Sequence, residues 1–84
     1  MARHTFPGPF TFKVIGRTDG NFTARVVAEV RNELQLEIDT PYRFSSARNG
    51  AHVSVTLDPE CDSPQQVLAI YSRLMGLDGV IMLL

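Results

Sequence analysis

The order of the strand-like and helix-like segments constrains this chain more than any single residue does. Alternating apolar residues indicate strands, and apolar residues three or four positions apart indicate helices. These patterns follow one another as strand, helix, strand, strand, helix, strand. The predicted bounds are 10–15, 21–34, 38–46 and 51–57, then a helix that begins at Pro64, then a last strand over 80–84. An order of this kind predicts a fold, not a reaction.

Turn residues indicate how the predicted strands connect. Asn49 and Gly50 favour the positive φ angles of a tight hairpin between the second and third strands. Pro41 suits an edge position for the second strand, because proline cannot donate to a neighbouring strand. Right-handed crossovers then place the first and third strands at the centre and the fourth at the edge beside the first. The prediction is an α+β, ferredoxin-like βαββαβ sandwich, with a four-stranded antiparallel sheet and two helices on one face.

Both predicted helices carry residues typical of helix ends. Asn21 follows a turn and supplies the N-cap of the first helix. Ser63 is the predicted N-cap of the second helix, with Pro64 at the first helical position and Gln66 completing a capping box. Gly76 stands where a left-handed C-terminal cap is expected.

Length and composition limit the class of protein. The chain has 84 residues, which leaves room for one domain over 1–84, and its first residues, 1–8, are predicted to be flexible or extended. Eight Lys and Arg balance nine Asp and Glu, so bulk charge does not favour a nucleic-acid partner. The one cysteine excludes an internal disulfide, and no apolar run is long enough to cross a bilayer. We therefore expect a cytoplasmic protein that does not bind membranes.

No constellation of residues predicts catalysis, a cofactor or a metal site. His4 and His52 are the two imidazoles, and neither lies at metal-ligand spacing from the other or from Cys61. Glu60 and Asp62 flank Cys61 and are expected to raise its pKa, which disfavours a nucleophilic thiol. Cys61 is therefore predicted to be an unreactive loop residue. The chain is not expected to be an enzyme.

Motifs along most of the chain resemble a known family. They are Phe6-Pro7-x-Pro9-Phe10-Thr11-Phe12-Lys13-Val14-Ile15-Gly16, Ser45-Ser46, Gly50, Ser54-Val55, Ile70-Tyr71-x-x-Leu74 and Val80-x-Met82-x-Leu84. From about Phe6 to the C-terminus, the chain resembles the YbeD family of small bacterial proteins of unknown function. The resemblance implies a ferredoxin-like fold similar to ACT-type regulatory domains, and it implies no enzymatic activity.

The turn between the first strand and the first helix is one candidate ligand site. ACT-type domains place small ligands at this position, often between two subunits, so the resemblance implies a site here. The backbone N–H groups and helix N-terminus at Arg17, Asp19, Gly20 and Asn21 suit a small carboxylate. An ordinary strand-to-helix turn explains the same residues. Both interpretations stay open at this point.

The sheet face that the helices leave open is a candidate interface. Its predicted interface residues are Lys13, Ile15, His52, Ser54, Ile81 and Leu83. Ile15, Ile81 and Leu83 come from adjacent strands, and an apolar patch there favours a homo-oligomer or a partner protein. The edge of the last strand offers another route to self-association. A solvated face with scattered apolar residues is the alternative.

Nucleic-acid binding is the alternative function for the open face, because RNA-recognition modules share the fold. Lys13, Arg43, Arg48 and His52 are the residues expected to carry it. The third predicted strand lacks the aromatic residues on which bases stack, so a nucleic-acid partner is disfavoured. The preferred hypothesis is a non-enzymatic regulatory or interaction module, with a small carboxylate as its candidate ligand.

Overall fold

Residues 5–84 are described by this computed structural model, and they form six strands and two helices. In chain order the elements are β1 (Gly8–Pro9), β2 (Phe12–Arg17), α1 (Phe22–Leu34), β3 (Tyr42–Ala47), β4 (His52–Leu57), β5 (Glu60–Cys61), α2 (Pro64–Met75) and β6 (Val80–Leu83). The predicted order is confirmed for the six longer elements. The two short strands, β1 and β5, have no counterpart among the predicted segments.

The four longer strands form one antiparallel sheet in the order β3, β4, β2, β6. β2 and β4 are therefore central, and β3 and β6 are the edges, as the turns and connections predict. Pro41 lies directly before the edge strand β3. α1 and α2 pack against each other and bury their apolar residues in the same core as β2 and β4. The predicted α+β, ferredoxin-like βαββαβ sandwich is confirmed.

Strand alternation decides which face of the sheet the helices cover. Phe12 and Val14 of β2 and Val53, Val55 and Leu57 of β4 are at most 4% exposed. The apolar stripe of each helix covers these side chains, and its buried residues are Phe22, Val26, Val27, Val30, Val67, Ile70 and Leu74. Burying one such side chain contributes roughly 1.5–3 kcal/mol. The opposite face of the sheet, which carries the alternate residues, is left open.

The short ladder between β1 and β5 buries the cysteine. Gly8 pairs with Cys61 and Pro9 pairs with Glu60. Cys61 is 0% exposed and lies within the apolar core. The prediction that Cys61 is a loop thiol is wrong, because this pairing draws the segment after β4 onto the core. Burial raises the pKa of the thiol, and the negative charges of Asp62 and Glu60 raise it further.

The segment before β2 is packed where the structure describes it. Phe6 lies against the edge of the core, and its peptide bond to Pro7 is cis. Gly8 and Pro9 then form β1. Residues 1–4 lie outside the described residues, so the predicted segment 1–8 is seen only from Thr5 onward.

The two helix starts are capped differently. Ser63 accepts a hydrogen bond from the Gln66 backbone N–H at 3.2 Å, as predicted. The Gln66 side chain accepts from the Asp62 N–H at 2.7 Å, one residue before the N–H that a capping box uses. Asn21 instead has a left-handed backbone, with φ 56°, and makes no side-chain capping bond. α1 consequently begins at Phe22, one residue later than predicted.

Residues with positive φ mark the remaining turns. Arg48, Asn49 and Gly50 have φ of 55°, 58° and 84°, and they form the predicted hairpin between β3 and β4. Gly76 has φ −81° and ψ −6°, so the predicted left-handed cap of α2 is wrong. The positive φ after α2 belongs to Gly79, at 98°, directly before β6.

Candidate functional site

The four residues of the predicted ligand turn lie together between β2 and α1. Arg17 ends β2, and Asp19, Gly20 and Asn21 complete the turn to the helix. The Arg17 guanidinium is 3.6 Å from a carboxylate oxygen of Asp19 and 3.6 Å from one of Asp78. Two carboxylates beside one guanidinium weaken the attraction of this turn for a third carboxylate.

Arg25 joins this turn to the turn before β6. Its guanidinium donates to the Gly20 carbonyl at 2.8 Å and to the Asp78 carbonyl at 3.0 Å, and it lies 5.6 Å from the centre of the Phe22 ring. Sequence patterns do not predict this contact, because Arg25 and Asp78 are 53 positions apart and no local pattern links them. The backbone N–H groups of the first turn of α1 remain without a side-chain cap.

Five of the six predicted interface residues share the open sheet face or its rim. Lys13 and Ile15 project from β2, and His52 and Ser54 project from β4, opposite the buried residues of the same strands. Ile81 of β6 is 48% exposed. A shallow surface, here called the apolar depression, is lined by Ile15, Ala47, Arg48, His52, Val53, Ser54, Ile81 and Met82.

The prediction that Leu83 lies on the open face is wrong. Leu83 pairs with Val14 and packs against the core. The pairing of β2 with β6 shifts register after Ile15, which itself pairs with Met82, and the shift leaves Ile81 unpaired. Strict alternation cannot anticipate such a β-bulge, because one extra residue re-aims the side chains next to it. Met82 therefore joins Ile15 and Ile81 in the apolar depression.

Cationic and hydroxyl groups lie beside the apolar depression. A second surface, here called the hydroxyl depression, is lined by Lys13, Arg43, Phe44, Ser45, Ser54 and Thr56. The Arg43 guanidinium donates to the Asp58 carboxylate at 3.2 Å, and the Thr11 hydroxyl donates to the same carboxylate at 2.5 Å. The hydrogen bond from Thr11, helped by Arg43 and opposed by partial burial, lowers the pKa of Asp58. An ionised Asp58 therefore holds Arg43 at the rim of this depression.

The residues predicted for nucleic-acid contact share the open face, but aromatic residues do not. Lys13, Arg43 and His52 project from its strands, and Arg48 lies in the hairpin at its end. Among residues 5–84 no Phe or Tyr lies in register with the residues of this face. Phe6, Phe10, Phe12, Phe22 and Tyr71 pack in or against the core. Tyr42 and Phe44 pair with the core-facing Leu57 and Val55, although Phe44 also borders the hydroxyl depression. Bases stack on aromatic platforms, which this face does not offer.

The edge strand β3 carries a surface that the sequence analysis missed. Tyr42 pairs with Leu57 and Phe44 pairs with Val55, so both rings point to the face that the helices cover elsewhere. Leu57 and Val55 are 0% exposed, whereas Tyr42 is 44% and Phe44 is 63% exposed. The reason is that α1 packs over β4 and β2 and leaves β3 largely uncovered. We call the two rings, whose centres are 6.5 Å apart, the aromatic shelf.

Tyr42 and Phe44 alternate in the sequence as strand residues do, and this spacing is the only local signal of the shelf. Which strand a helix leaves uncovered depends on where the helix axis crosses the sheet, and that is a tertiary property. All six residues of β3 are exposed. The strand therefore offers both its backbone edge and its aromatic shelf to another molecule.

Within residues 5–84, no group of three or more His, Cys, Asp or Glu side chains is arranged to hold a metal ion. Neither helix in that range has the length and apolar character needed to cross a membrane. Nothing in the described residues shows enzymatic activity.

Comparisons with known proteins find relatives across bacteria. The family model described as "Protein of unknown function (DUF493)" matches residues 2–84. A UPF0250 protein of Shewanella sp. strain ANA-3 is 33% identical over 75 residues, which cover 89% of this chain and 83% of that protein. A UPF0250 protein of Nitrosomonas europaea is 32% identical over 79 residues, which cover 94% of this chain and 91% of that protein.

A solved structure supports the fold. The chain is similar to the solution structure of protein HP0495 from H. pylori, with a TM-score of 0.74 and 17% identity, over 100% of this chain and 88% of that one. At this identity the likeness bears on the fold alone. The family model and the relatives agree with the resemblance carried by the motifs. The chain therefore belongs to the DUF493 family of bacterial proteins of unknown function, the YbeD family that its motifs resemble.

Proposed function

We propose that this protein is a non-enzymatic interaction module that pairs with a second copy of itself through β3. The aromatic shelf is the observation that supports the proposal most. Tyr42 and Phe44 occupy the layer in which the β4 residues are fully buried, yet about half of their surface faces solvent. A second copy beside β3 extends the sheet and sets its own Tyr42 and Phe44 against these rings.

The composition of β3 suits pairing with itself. Unpaired strand edges invite pairing, and charged residues normally protect them. The only charged residue of β3 is Arg43, and Asp58 already binds it at 3.2 Å. The self-repulsion that a free cation on each edge would cause is therefore reduced.

Strand geometry also limits the register in which β3 of one copy can pair with β3 of the other. Directly paired residues point to the same face, so a continuous sheet with every helix on one side must pair residues of the same parity. An antiparallel pairing centred on Phe44 sets Phe44 against its own copy and Arg43 against Ser45. Aromatic side chains then meet across the two-fold axis, and like charges do not.

The area of the aromatic shelf indicates how strongly two copies are expected to associate. An aromatic side chain buries roughly 150–250 Å². The exposed fractions of Tyr42 and Phe44, 44% and 63%, therefore leave roughly 200 Å² per copy to cover. Ile38, which is 80% exposed in the linker before β3, adds to this area. The total stays below the roughly 1,600 Å² of a standard interface, so we propose a weak, reversible dimer.

Sedimentation equilibrium over a concentration series tests the proposal. The wild-type mass is expected to rise towards twice the 9.3 kDa of the chain, and Phe44→Lys is expected to keep it at the monomer value. Leu68→Lys is the matched control, because Leu68 on α2 is 66% exposed, close to the 63% of Phe44. The proposal fails if the wild type stays a monomer at all concentrations, or if both variants behave alike. Circular dichroism confirms that each variant is folded.

The open sheet face is the second candidate surface. The apolar depression, with Ile15, Ile81 and Met82, supports it, and Lys13, His52 and Ser54 stay predicted contacts around it. If Ile81→Asp abolishes the dimer while Phe44→Lys does not, this face is the interface and the β3 proposal is wrong.

Two finer parts of the hypothesis remain predictions. A small carboxylate at Arg17, Asp19, Gly20 and Asn21 has the uncapped start of α1 in its favour and the carboxylates of Asp19 and Asp78 against it. The bacterial cytoplasm remains the proposed compartment, because a chain whose single cysteine is a buried free thiol uses no disulfide for its stability.

A further inference from the structure

The hydroxyl depression brings together hydrogen-bond donors from three neighbouring strands. Thr56 of β4 pairs with Lys13 of β2 on one side and with Arg43 of β3 on the other. Ser45 and Ser54 pair in the next row of the same face. Strands lie about 4.8 Å apart, so the backbones of the two cationic residues are roughly 10 Å apart, and their long side chains can reach one point between them.

Most of these donors have no partner within the protein. Among residues 5–84, the Lys13 ammonium forms no ion pair and the hydroxyls of Ser45, Ser54 and Thr56 form no side-chain hydrogen bond. Lys13 is also the single lysine of a chain that is close to neutral overall. Two cations and no Asp or Glu line the depression, and the Asp58 carboxylate binds one of these cations, Arg43. The local charge of the depression is therefore positive.

The number and kind of donors select a class of ligand. A carboxylate has two oxygens, whereas a phosphoryl group offers three acceptor oxygens and carries close to two negative charges at neutral pH. An ammonium and a guanidinium form charge-assisted hydrogen bonds to such oxygens, and hydroxyl groups donate to those that remain. We infer that the hydroxyl depression binds the phosphoryl group of a phosphate monoester.

The neighbouring surface bears on what carries the phosphoryl group. Ser54 lines both the hydroxyl depression and the apolar depression. A ligand whose phosphoryl group contacts Lys13 can therefore lay an apolar portion against Ile15, Ile81 and Met82. A phosphorylated side chain of a partner protein and a small phosphorylated metabolite share this chemistry. The site lies within one copy of the chain, so it does not depend on pairing through β3.

Amide chemical shifts of labelled protein, followed at constant ionic strength with sodium chloride as balance, test the inference. The probes are inorganic phosphate, phosphoserine, and one short peptide with and without a phosphorylated serine. Saturable shifts are expected at Lys13, Ser45, Ser54 and Thr56. Lys13→Gln is expected to weaken binding at least about tenfold, because it removes a charge-assisted hydrogen bond. Arg31→Gln is the matched control, since it removes the same charge from α1, outside both depressions.

The results distinguish a phosphorylated partner protein from a small metabolite, and specific binding from binding by bulk charge or by nucleic acid. Tighter binding of the phosphopeptide than of phosphoserine supports a phosphorylated protein, and equal binding supports a small metabolite. The inference is overturned by shifts that never saturate, or by equal losses in Lys13→Gln and Arg31→Gln, since both indicate bulk charge alone. Tighter binding of a single-stranded oligonucleotide than of any monoester also overturns it, in favour of the nucleic-acid alternative. Ser54→Ala keeps the charge unchanged and is expected to weaken binding severalfold.

Discussion

Gly16 shows how one residue of β2 depends on a neighbouring helix. A Cβ atom at this position would lie 2.3, 2.5 and 2.6 Å from three atoms of the Phe22 ring. Phe22 is 1% exposed at the start of α1, so its ring cannot move aside without disturbing the core. The close approach of β2 to α1 therefore requires glycine.

Gly16→Ala is expected to lower the free energy of unfolding by about 1–3 kcal/mol, because it overpacks a filled core. Urea unfolding of both proteins measures the loss. Gly76→Ala is the control: its new Cβ has nothing closer than 3.5 Å, and its backbone is in the ordinary helical region. Equal stability of the two variants would contradict the packing argument.

The Asp58 carboxylate is expected to make the stability of the folded protein depend on pH. Its folded pKa lies below the usual value of 3.8, because the ionised form accepts hydrogen bonds from Thr11 and Arg43. The stabilisation is thus fully present above about pH 4 and is lost as the pH falls through the lowered folded pKa. Asp58→Asn should be less stable than wild type by under about 1 kcal/mol at neutral pH, since the side chain is 40% exposed.

The difference between Asp58→Asn and wild type should shrink below pH 4, as thermal unfolding at several pH values can show. Asp62→Asn, which changes a carboxylate outside this hydrogen-bond network, is the control variant. A gap of the same size at pH 3 and pH 7 would rule out this role for Asp58.

Single residues also show where sequence reasoning ends. The buried alternation of Val53, Val55 and Leu57 follows from spacing alone. The orientation of Leu83 does not follow from spacing, because the bulge at Ile81 turns the Leu83 side chain to the opposite face of the sheet. Cys61 does not either, since its burial depends on pairing with Gly8, far away in the chain. The orientation of Leu83 and the burial of Cys61 depend on pairing between distant segments, which local sequence patterns do not show.

Asn21 and Ser63 both look like N-caps in the sequence, but only one of them caps its helix with its side chain. Ser63 uses its side chain to cap α2, and Asn21 does not cap α1. Ser63→Ala should cost about 1 kcal/mol of stability. Asn21→Gly should cost little, because the φ of 56° suits glycine at least as well as asparagine. The denaturant midpoints of both variants measure these losses of stability. An equal loss in each variant would show that Asn21 contributes as a cap.

Element order, strand order and the hairpin were predictable, since they follow from periodicity, Pro41 and the Asn49-Gly50 pair. The aromatic shelf was not predictable, since Tyr42 and Phe44 look like ordinary core residues of a strand. Their exposure arises from the position of α1 across the sheet. The residues that share the open face were predictable except at β6, and their role as an interface stays a prediction. The turn between β2 and α1 lies where it was predicted, and its role in ligand binding stays a prediction. Its contacts with Asp78, which is distant in the chain, could not be predicted from local patterns.

The whole molecule is a two-layer sandwich whose helix layer stops short of one edge strand. In the proposed dimer, a second copy joined at β3 would continue the sheet and set the two aromatic shelves side by side, so that a small chain with a small core gains further burial. The open faces of both copies then lie on one side of the joined sheet. A phosphorylated ligand in the hydroxyl depression would bind on that side, away from the aromatic shelf.

Hydrogen exchange of the β3 amides at rising protein concentration tests the pairing most directly, because it reports on the strand edge itself. Pairing through β3 predicts that exchange within Tyr42–Ala47 slows as concentration rises, while exchange within Val80–Leu83 at the other edge does not change. The same experiment on Phe44→Lys should show no concentration dependence. Unchanged exchange in β3, or slowing confined to β6 while the mass doubles, would contradict the proposal that this protein pairs through β3.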